Sequence, residues 1–230
     1  MRYDPHHTLR RLRGRERVVV GQLGQTLDGR VATESGESLY INGSCALTHL
    51  HRLRAEADAV IVGVGTVIAD DPALTVRHCE GDDPARVVID PRGRMPEDAR
   101  LLKGGAWLVR AVGCRADVPD GAEVVPVVPD AEGTLPWGGI LDALAARGLG
   151  RVLIEGGPRT LSLAVAAGVV ERLHVMVAPT LFGSGRPGLT LPPIPAIGDA
   201  MRPRADVSVF EDGDVLFDCD LTSERSAPFG

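Results

Sequence analysis

Short apolar runs, each cut by glycine, proline or an acid, alternate along this chain with stretches of helical spacing. Residues 17–23 predict a first strand, and Leu27-Asp28-Gly29-Arg30 a turn leading into a short strand at 31–32. Ser44 offers an N-cap for a helix over 45–57, whose inward face would carry Leu47, Leu50 and Leu53 or Arg54. Residues 59–62 are apolar throughout, as central parallel strands are. Further strands are expected at 86–89, cut by Asp90-Pro91, and at 106–109 and 123–126. A helix over 140–147 would turn Leu141, Leu144 and Ala145 inward and end at Gly148 or Gly150. A strand at 151–154 stops at Glu155-Gly156-Gly157-Pro158, and a helix over 160–167 follows. After a strand at 173–177 come a glycine-rich loop at 182–188, a proline-rich connection at 191–195, and a hairpin. The hairpin's arms are 206–210 and 215–219, about a turn at Asp212-Gly213. An antiparallel end on a chain that otherwise alternates strand and helix implies an α/β protein with a mixed, mostly parallel sheet. The pattern divides into a basic N-terminal arm at 1–16, a single domain at 17–221 and a tail at 222–230, without internal repeats.

Composition narrows the picture. The chain has 230 residues, 44% hydrophobic but only 3% aromatic, so its core must be built from Val, Leu, Ile and Ala. A net charge of −6 leaves no electrostatic footprint for nucleic acid. The one basic cluster, Arg10, Arg11, Arg13, Arg15 and Arg17, reads as a solvated arm before the first strand. Cys45, Cys79, Cys114 and Cys219 lie too far apart for a zinc knuckle or a disulfide scaffold. With no apolar leader and no membrane-length run, a reduced, cytoplasmic protein is expected.

Candidate chemistry concentrates at the ends of the predicted strands. Residues 59–77 run from an apolar strand into Gly63-Val64-Gly65-Thr66, then Asp70-Asp71-Pro72, and close on Arg77. This reads as the lip of a cleft, since glycine permits close backbone approach and arginine holds small anions. The glycines could open a dinucleotide fingerprint, but Ile68 stands where its third glycine belongs, which favours a plain tight turn or a nucleotide surface of another α/β fold. At the second site, Gly157 opens a helix whose free N–H groups would suit a diphosphate, with Glu155 facing the same cleft, or the stretch is a plain helix start with a solvated acid. Gly183-Ser184-Gly185-Arg186 could wrap an anion or form a plain loop. Arg54 and Arg77 together would make a phosphate clamp, with an internal ion pair the rival role for Arg54. His49, His51, His78 and His174 lack metal spacing and read as ordinary packed or surface histidines.

These motifs, in this order, resemble the reductase domain of the bacterial riboflavin-biosynthesis deaminase/reductase family. The matching stretches are Gly24-Gln25-Thr26-Leu27-Asp28-Gly29, Ser35-Gly36-Glu37-Ser38-Leu39-Tyr40-Ile41, Leu53-Arg54, Gly63 through Arg77, Glu155 through Pro158, and Ala178 through Ser184. The resemblance covers nearly the whole chain. It implies a dihydrofolate-reductase-like, three-layer fold with a central mixed sheet and a C-terminal antiparallel hairpin. It also implies NADPH-dependent reduction of 5-amino-6-(5-phosphoribosylamino)uracil to the ribitylamino product. By resemblance, Ser38, Arg54, Leu74, Arg77 and Glu155 contact substrate. Gly24, Tyr40, Thr66, Asp70, Gly157, Pro158, Arg159, Thr160, Leu161, Ser162 and Leu163 contact NADPH. Asp70 and Glu155 are the candidate catalytic acids, because an imine carbon accepts hydride best when its nitrogen is protonated.

Three positions depart from the family's pattern: Gln22 replaces a lysine, Pro91 a serine and Tyr40 a tryptophan. Glutamine cannot donate a charge or a titrating proton, so Gln22 also admits a reductase of a pterin, folate or specialised pyrimidine. A non-catalytic nucleotide-binding protein is the third reading. A zinc deaminase would need His-x-Glu and Pro-Cys-x-x-Cys, which the chain lacks, so any deamination is expected on a separate chain. The resemblance also implies a homodimer, with the C-terminal hairpin contributing, and a preference for NADPH in which Arg92 or Arg94 meets the 2′-phosphate.

Overall fold

The computed structural model describes residues 3–10, 12–38, 41–155 and 157–222. In chain order the elements are α1 Pro5–Arg10, β1 Val18–Thr26, β2 Arg30–Thr33, α2 Ser44–Glu56, β3 Ala59–Gly63, α3 Val64–Asp70, β4 Ala85–Ile89, β5 Ala106–Ala111 and β6 Ala122–Val127. There follow α4 Trp137–Ala145, β7 Arg151–Glu155, α5 Pro158–Ala166, β8 Arg172–Ala178, β9 Gly185–Pro187, β10 Arg204–Val209 and β11 Val215–Asp220. Nine strands form one sheet in the order β10-β11-β8-β1-β7-β3-β4-β5-β6. From β8 to β6 every neighbour is parallel, while β11 pairs antiparallel with both β8 and β10. β2 and β9 form a separate antiparallel pair.

Strand alternation splits the core into two layers. Ala59, Ile61, Val152 and Ile154 face Ile140 and Leu144 of α4 and Leu161, Ala164 and Val165 of α5. Val60, Val62 and Leu153 face the other way, onto Leu53 of α2, Val64 and Val67 of α3, and Leu9 and Leu12 near the N-terminus. β3, apolar on both faces, is buried on both, as the sequence pattern requires.

The structure departs from the sequence reading in four places. The N-terminal segment is not a free arm. Arg13, Arg15 and Arg17 are exposed and pair with Glu56, Glu171 and Asp142, but Leu9 and Leu12 are buried and hold the segment to the core. Helix α2 begins one residue early and is not capped by Ser44. Its N-terminal amides are met from across the fold, where Asp214 accepts from Gly43 N–H at 2.8 Å and Asp212 from Cys45 N–H at 2.9 Å. Its inward face is Ala46, His49, Leu53 and Arg54, and Leu47 is exposed. Within the 59–77 lip, Val64–Asp70 is a helix, α3, stabilised by Val64 and Val67 spaced three apart on the core side. Part of the expected 182–188 loop is strand β9, docked by Asp28, which accepts from Phe182 and Gly183 N–H.

Candidate active site

β3 and β7 are neighbours at the middle of the sheet, and both deliver a helix at the same end, α3 after Gly63 and α5 after Gly157. The two helix starts interlock through glycine. A Cβ on Gly63 would lie 2.5 Å from Thr160 Oγ1, and one on Gly157 would lie 2.7 Å from Thr66 Oγ1. Gly157 also has φ +57°, a conformation that favours glycine. Two helix N-termini and two threonine hydroxyls thus meet with no side chain from either glycine between them, a surface suited to an anionic group. Within α5, Leu161 is packed in the core and Ser162 Oγ accepts from Thr190 N–H at 2.9 Å, so these two side chains face away from that surface. Leu163 is exposed. Tyr40 and Gly156 lie outside the described residues.

One step along the sheet, Glu155 ends β7 in register with Gln22 of β1, and Gln22 is in register with His174 of β8. All three project toward α2. Arg54, from the last turn of α2, meets Glu155 with a fork of two bonds, Nε and Nη2 donating to Oε1 and Oε2 at 2.6 Å each. Both side chains are buried. The internal ion pair, the rival role for Arg54, is therefore what the structure has, and Arg54 and Arg77 do not form a bare two-arginine clamp. Gln22 is only 6% exposed and, among the described residues, makes no side-chain hydrogen bond. Gly24 lies under Asn42, whose Oδ1 a Cβ there would overlap, and Asn42 is itself bonded to Asp214.

Asp70 sits at the end of α3 rather than at a strand end, and is solvent-exposed. Partial burial of its carboxyl raises its pKa above the ordinary value, with Arg186 pulling the other way. Arg186 comes from β9, with its guanidinium against Gly36, where a Cβ would sit 2.9 Å from Nη2. The Gly183–Arg186 constellation is thereby brought to the same mouth as Asp70, close to the turn before Ser38. Leu74 adopts φ +54° and buries its side chain in the α2-side core, leaving only its backbone for a ligand. Arg77 is exposed. On the far side of β3, Asp90 is fully buried and accepts from Arg94 and Met95 N–H at 2.8 and 3.0 Å, which fixes a turn presenting Arg92 and Arg94 to solvent.

Sequence reasoning passed over two groups. His51 and Asp83 hold the backbone before Arg77, and His49 and His174 join Tyr3 and Asp218 in a buried chain behind Gln22. Neither left a local signal, because the histidines' partners lie 26 to 125 residues away and Asp83 meets Val76 across an irregular loop. Among the described residues no three His, Cys, Asp or Glu side chains are grouped to hold a metal, and no helix is long and apolar enough to cross a membrane.

Comparison with known proteins identifies the family and the fold. The RibD C-terminal domain family matches residues 17–202. A 2,5-diamino-6-ribosylamino-4(3H)-pyrimidinone 5′-phosphate reductase of Methanothermobacter thermautotrophicus is 36% identical over 75% of this chain and 82% of its own. The riboflavin biosynthesis protein RibD of Escherichia coli is 33% identical over 84% of this chain, which spans 56% of that protein. A Thermotoga maritima structure described as a diaminohydroxyphosphoribosylaminopyrimidine deaminase/5-amino-6-(5-phosphoribosylamino)uracil reductase superposes with TM-score 0.74 at 26% identity, over 89% of this chain and 56% of that one. Enterococcus faecalis dihydrofolate reductase shares the fold, with TM-score 0.52 at 8% identity over 88% of this chain and 95% of that one. The chain therefore has a dihydrofolate-reductase-like fold and belongs to the RibD C-terminal domain family.

Proposed function

We propose that the chain is an NADPH-dependent reductase of a phosphorylated ribosylaminopyrimidine, taking 5-amino-6-(5-phosphoribosylamino)uracil to its ribitylamino product. The observation that carries this reading is that one end of the sheet brings together Gln22, the buried Arg54–Glu155 pair and the two interlocked helix starts, with Asp70, a carboxyl with a raised pKa, at the end of α3. The names of the relatives supply the reaction class.

The residues present fit a dinucleotide. Its diphosphate would rest on the N–H groups of Arg159 and Thr160 and the hydroxyls of Thr66 and Thr160, over the bare backbone of Gly63 and Gly157. Leu161 and Ser162 would contribute backbone only, and Arg92 or Arg94 would meet the 2′-phosphate. NADPH, when bound, supplies hydride to C1′ of the ring-opened sugar. The chain's own part is to hold that sugar and to deliver a proton to the nitrogen. Glu155 already accepts two bonds from Arg54, so its role is to orient substrate and fix the arginine. Asp70 is left as the proton donor. Arg77 takes the phosphate, and Gln22 offers a neutral donor and acceptor to the substrate.

The archaeal relative's name favours one second reading, in which the substrate is the 2,5-diaminopyrimidinone phosphate that has not yet been deaminated. Titration with NADPH and NADH, followed by turnover assays on both pyrimidine phosphates, tests the proposal. Tighter NADPH binding with turnover of either pyrimidine is expected, and the faster of the two names the substrate. Equal or tighter NADH binding would reject the cofactor. No turnover of either, despite tight NADPH, would point through Gln22 to a pterin or other pyrimidine.

We further propose a homodimer formed through the open sheet face of the C-terminal hairpin, where Val207, Val209 and Phe217 are solvent-exposed. Light scattering should give about twice the 24.3 kDa chain mass. Four free cysteines suit a reducing, cytoplasmic setting.

A further inference from the structure

The chain between α3 and β4 has no helix or strand, yet it carries Arg77. Its backbone groups are met one after another by side chains from elsewhere. Ala73 C=O accepts from Arg86 Nε at 3.1 Å, and Thr75 C=O accepts from Arg54 Nη1 at 2.8 Å. Val76 N–H donates to Asp83 Oδ1 at 2.7 Å, and Arg77 N–H donates to His51 Nδ1 at 2.9 Å. Asp83 is braced in turn by Arg86 Nη2 at 2.8 Å. His51 and Arg54 are three apart on α2, so one face of one helix supplies two of these bonds.

We infer that His51 and Asp83 are positioning residues for anion capture, holding the 75–77 backbone so that Arg77 stands at the cleft mouth. The inference rests on the reading of Arg77 as the contact to the substrate phosphate.

Chemistry singles out His51 within this group. Its Nδ1 accepts from a backbone N–H, so its proton is on Nε2. That Nε2 is buried with no hydrogen-bond partner among the described residues, and the His51 and His78 rings meet edge to face with their centroids 4.5 Å apart. A side chain kept only for packing would be apolar here and leave no stranded donor. The imidazole is explained by the acceptor it turns toward Arg77.

Steady-state kinetics on the full chain with the phosphorylated pyrimidine decide the matter. His51→Leu keeps the bulk and removes the acceptor, whereas His51→Asn keeps an acceptor close to the Nδ1 position. His51→Leu should raise KM by about tenfold or more, with kcat within about twofold. NADPH affinity should not move, inhibition by inorganic phosphate should weaken in parallel, and His51→Asn should recover most of the loss. Asp83→Ala should act in the same direction and stands in if His51→Leu does not fold. Arg77→Met separates the two claims. If it leaves KM unchanged, the reading of Arg77 fails. If it raises KM while His51→Leu and Asp83→Ala do not, positioning alone fails. Added to Arg77→Met, His51→Leu should raise KM no further, and a full additive rise would overturn the proposal. A fall in kcat at constant KM, or no rescue by asparagine, would overturn it too.

Discussion

Helix α2 points two histidines two residues apart into two different polar regions, and the contrast separates architecture from function. His49 joins a closed chain. Tyr3 Oη lies 2.7 Å from His49 Nδ1, His49 Nε2 lies 2.9 Å from His174 Nδ1, and His174 Nε2 lies 3.2 Å from Asp218 Oδ1. The carboxylate can only accept, which sets the direction of the whole chain, with Tyr3 donating to His49, His49 to His174, and His174 to Asp218. Arg172 closes the end by pairing with Asp218 and Asp220. Every ring nitrogen in this chain has a partner. His51 and Arg54 instead hold the 75–77 backbone and Glu155, in a region where Gln22, Arg77 and Arg186 make no side-chain hydrogen bond among the described residues. A saturated buried network rigidifies a fold, while exposed arginines and a carboxyl with a shifted pKa stay available to a ligand.

The sharpest way to break that contrast is Asp70→Asn, which keeps size and hydrogen bonding and removes the titrating proton. Turnover should fall by about two to four orders of magnitude, the usual worth of general acid–base help. With the pKa raised, the wild-type rate should decline as pH rises through that value, because the acid form is lost. Single-turnover kinetics on both proteins read this directly, and full turnover in the variant would remove Asp70 from the chemistry.

The Arg54–Glu155 pair is buried and held by two bonds, so it should stabilise the fold besides orienting substrate. Removing one partner strands a buried charge, so Arg54→Met should cost about 3–5 kcal/mol of stability. The double variant with Glu155→Gln should recover part of that loss, since no charge is left unpaired. Urea unfolding of wild type, both single variants and the double variant measures the coupling. Additive losses would mean that the pair is not a unit.

Acid should act on both regions through their histidines. Burial, followed by Arg54, His78 and Arg77 and opposed by Asp83, lowers the His51 pKa from 6.5 to about 4. Burial and His174 depress His49 as well. The unfolded chain therefore binds protons that the folded chain refuses, and stability present above pH 6.5 should be lost as pH falls toward about 4. Burial would raise Asp218, but His174 and Arg172 outweigh it and lower its pKa from 3.8 to about 2, which extends the loss further into acid. A urea midpoint that stayed flat across the histidine window would mean that these rings take up protons in the fold as readily as in the unfolded chain.

How much of this was legible in the sequence follows from distance along the chain. The strands were legible because their burial is written in consecutive residues, as at Val60, Ile61 and Val62. The glycines at 63 and 157 were legible as sites of close approach, although not that each makes room for the other's threonine. Helix α3 was not, because Gly63 and Gly65 argue locally against a helix that Val64 and Val67 stabilise only through tertiary packing. The Arg54–Glu155 pair spans 101 residues and the His49–His174 contact 125, and no local pattern announces either. His51 looked like any helical histidine until the backbone of Arg77 was laid against it.

The smallest expected effect sharpens the contrast most. Tyr3→Phe keeps the ring, which packs on Phe210 at 4.5 Å between centroids, and removes only the hydroxyl that donates to His49. One neutral hydrogen bond is worth roughly 0.5–1.5 kcal/mol net, so Tm should fall by a few degrees at most. The closed chain passes through His174, and His174 is the register neighbour of Gln22. If the chain is architecture alone, Tyr3→Phe leaves kcat, KM and their pH profiles where they were. If it is wired to the chemistry, losing the terminal donor frees His49 Nδ1, and the change should pass along the chain to Gln22 and shift the pH profile of kcat. A shifted profile at unchanged KM would show that the two regions are one.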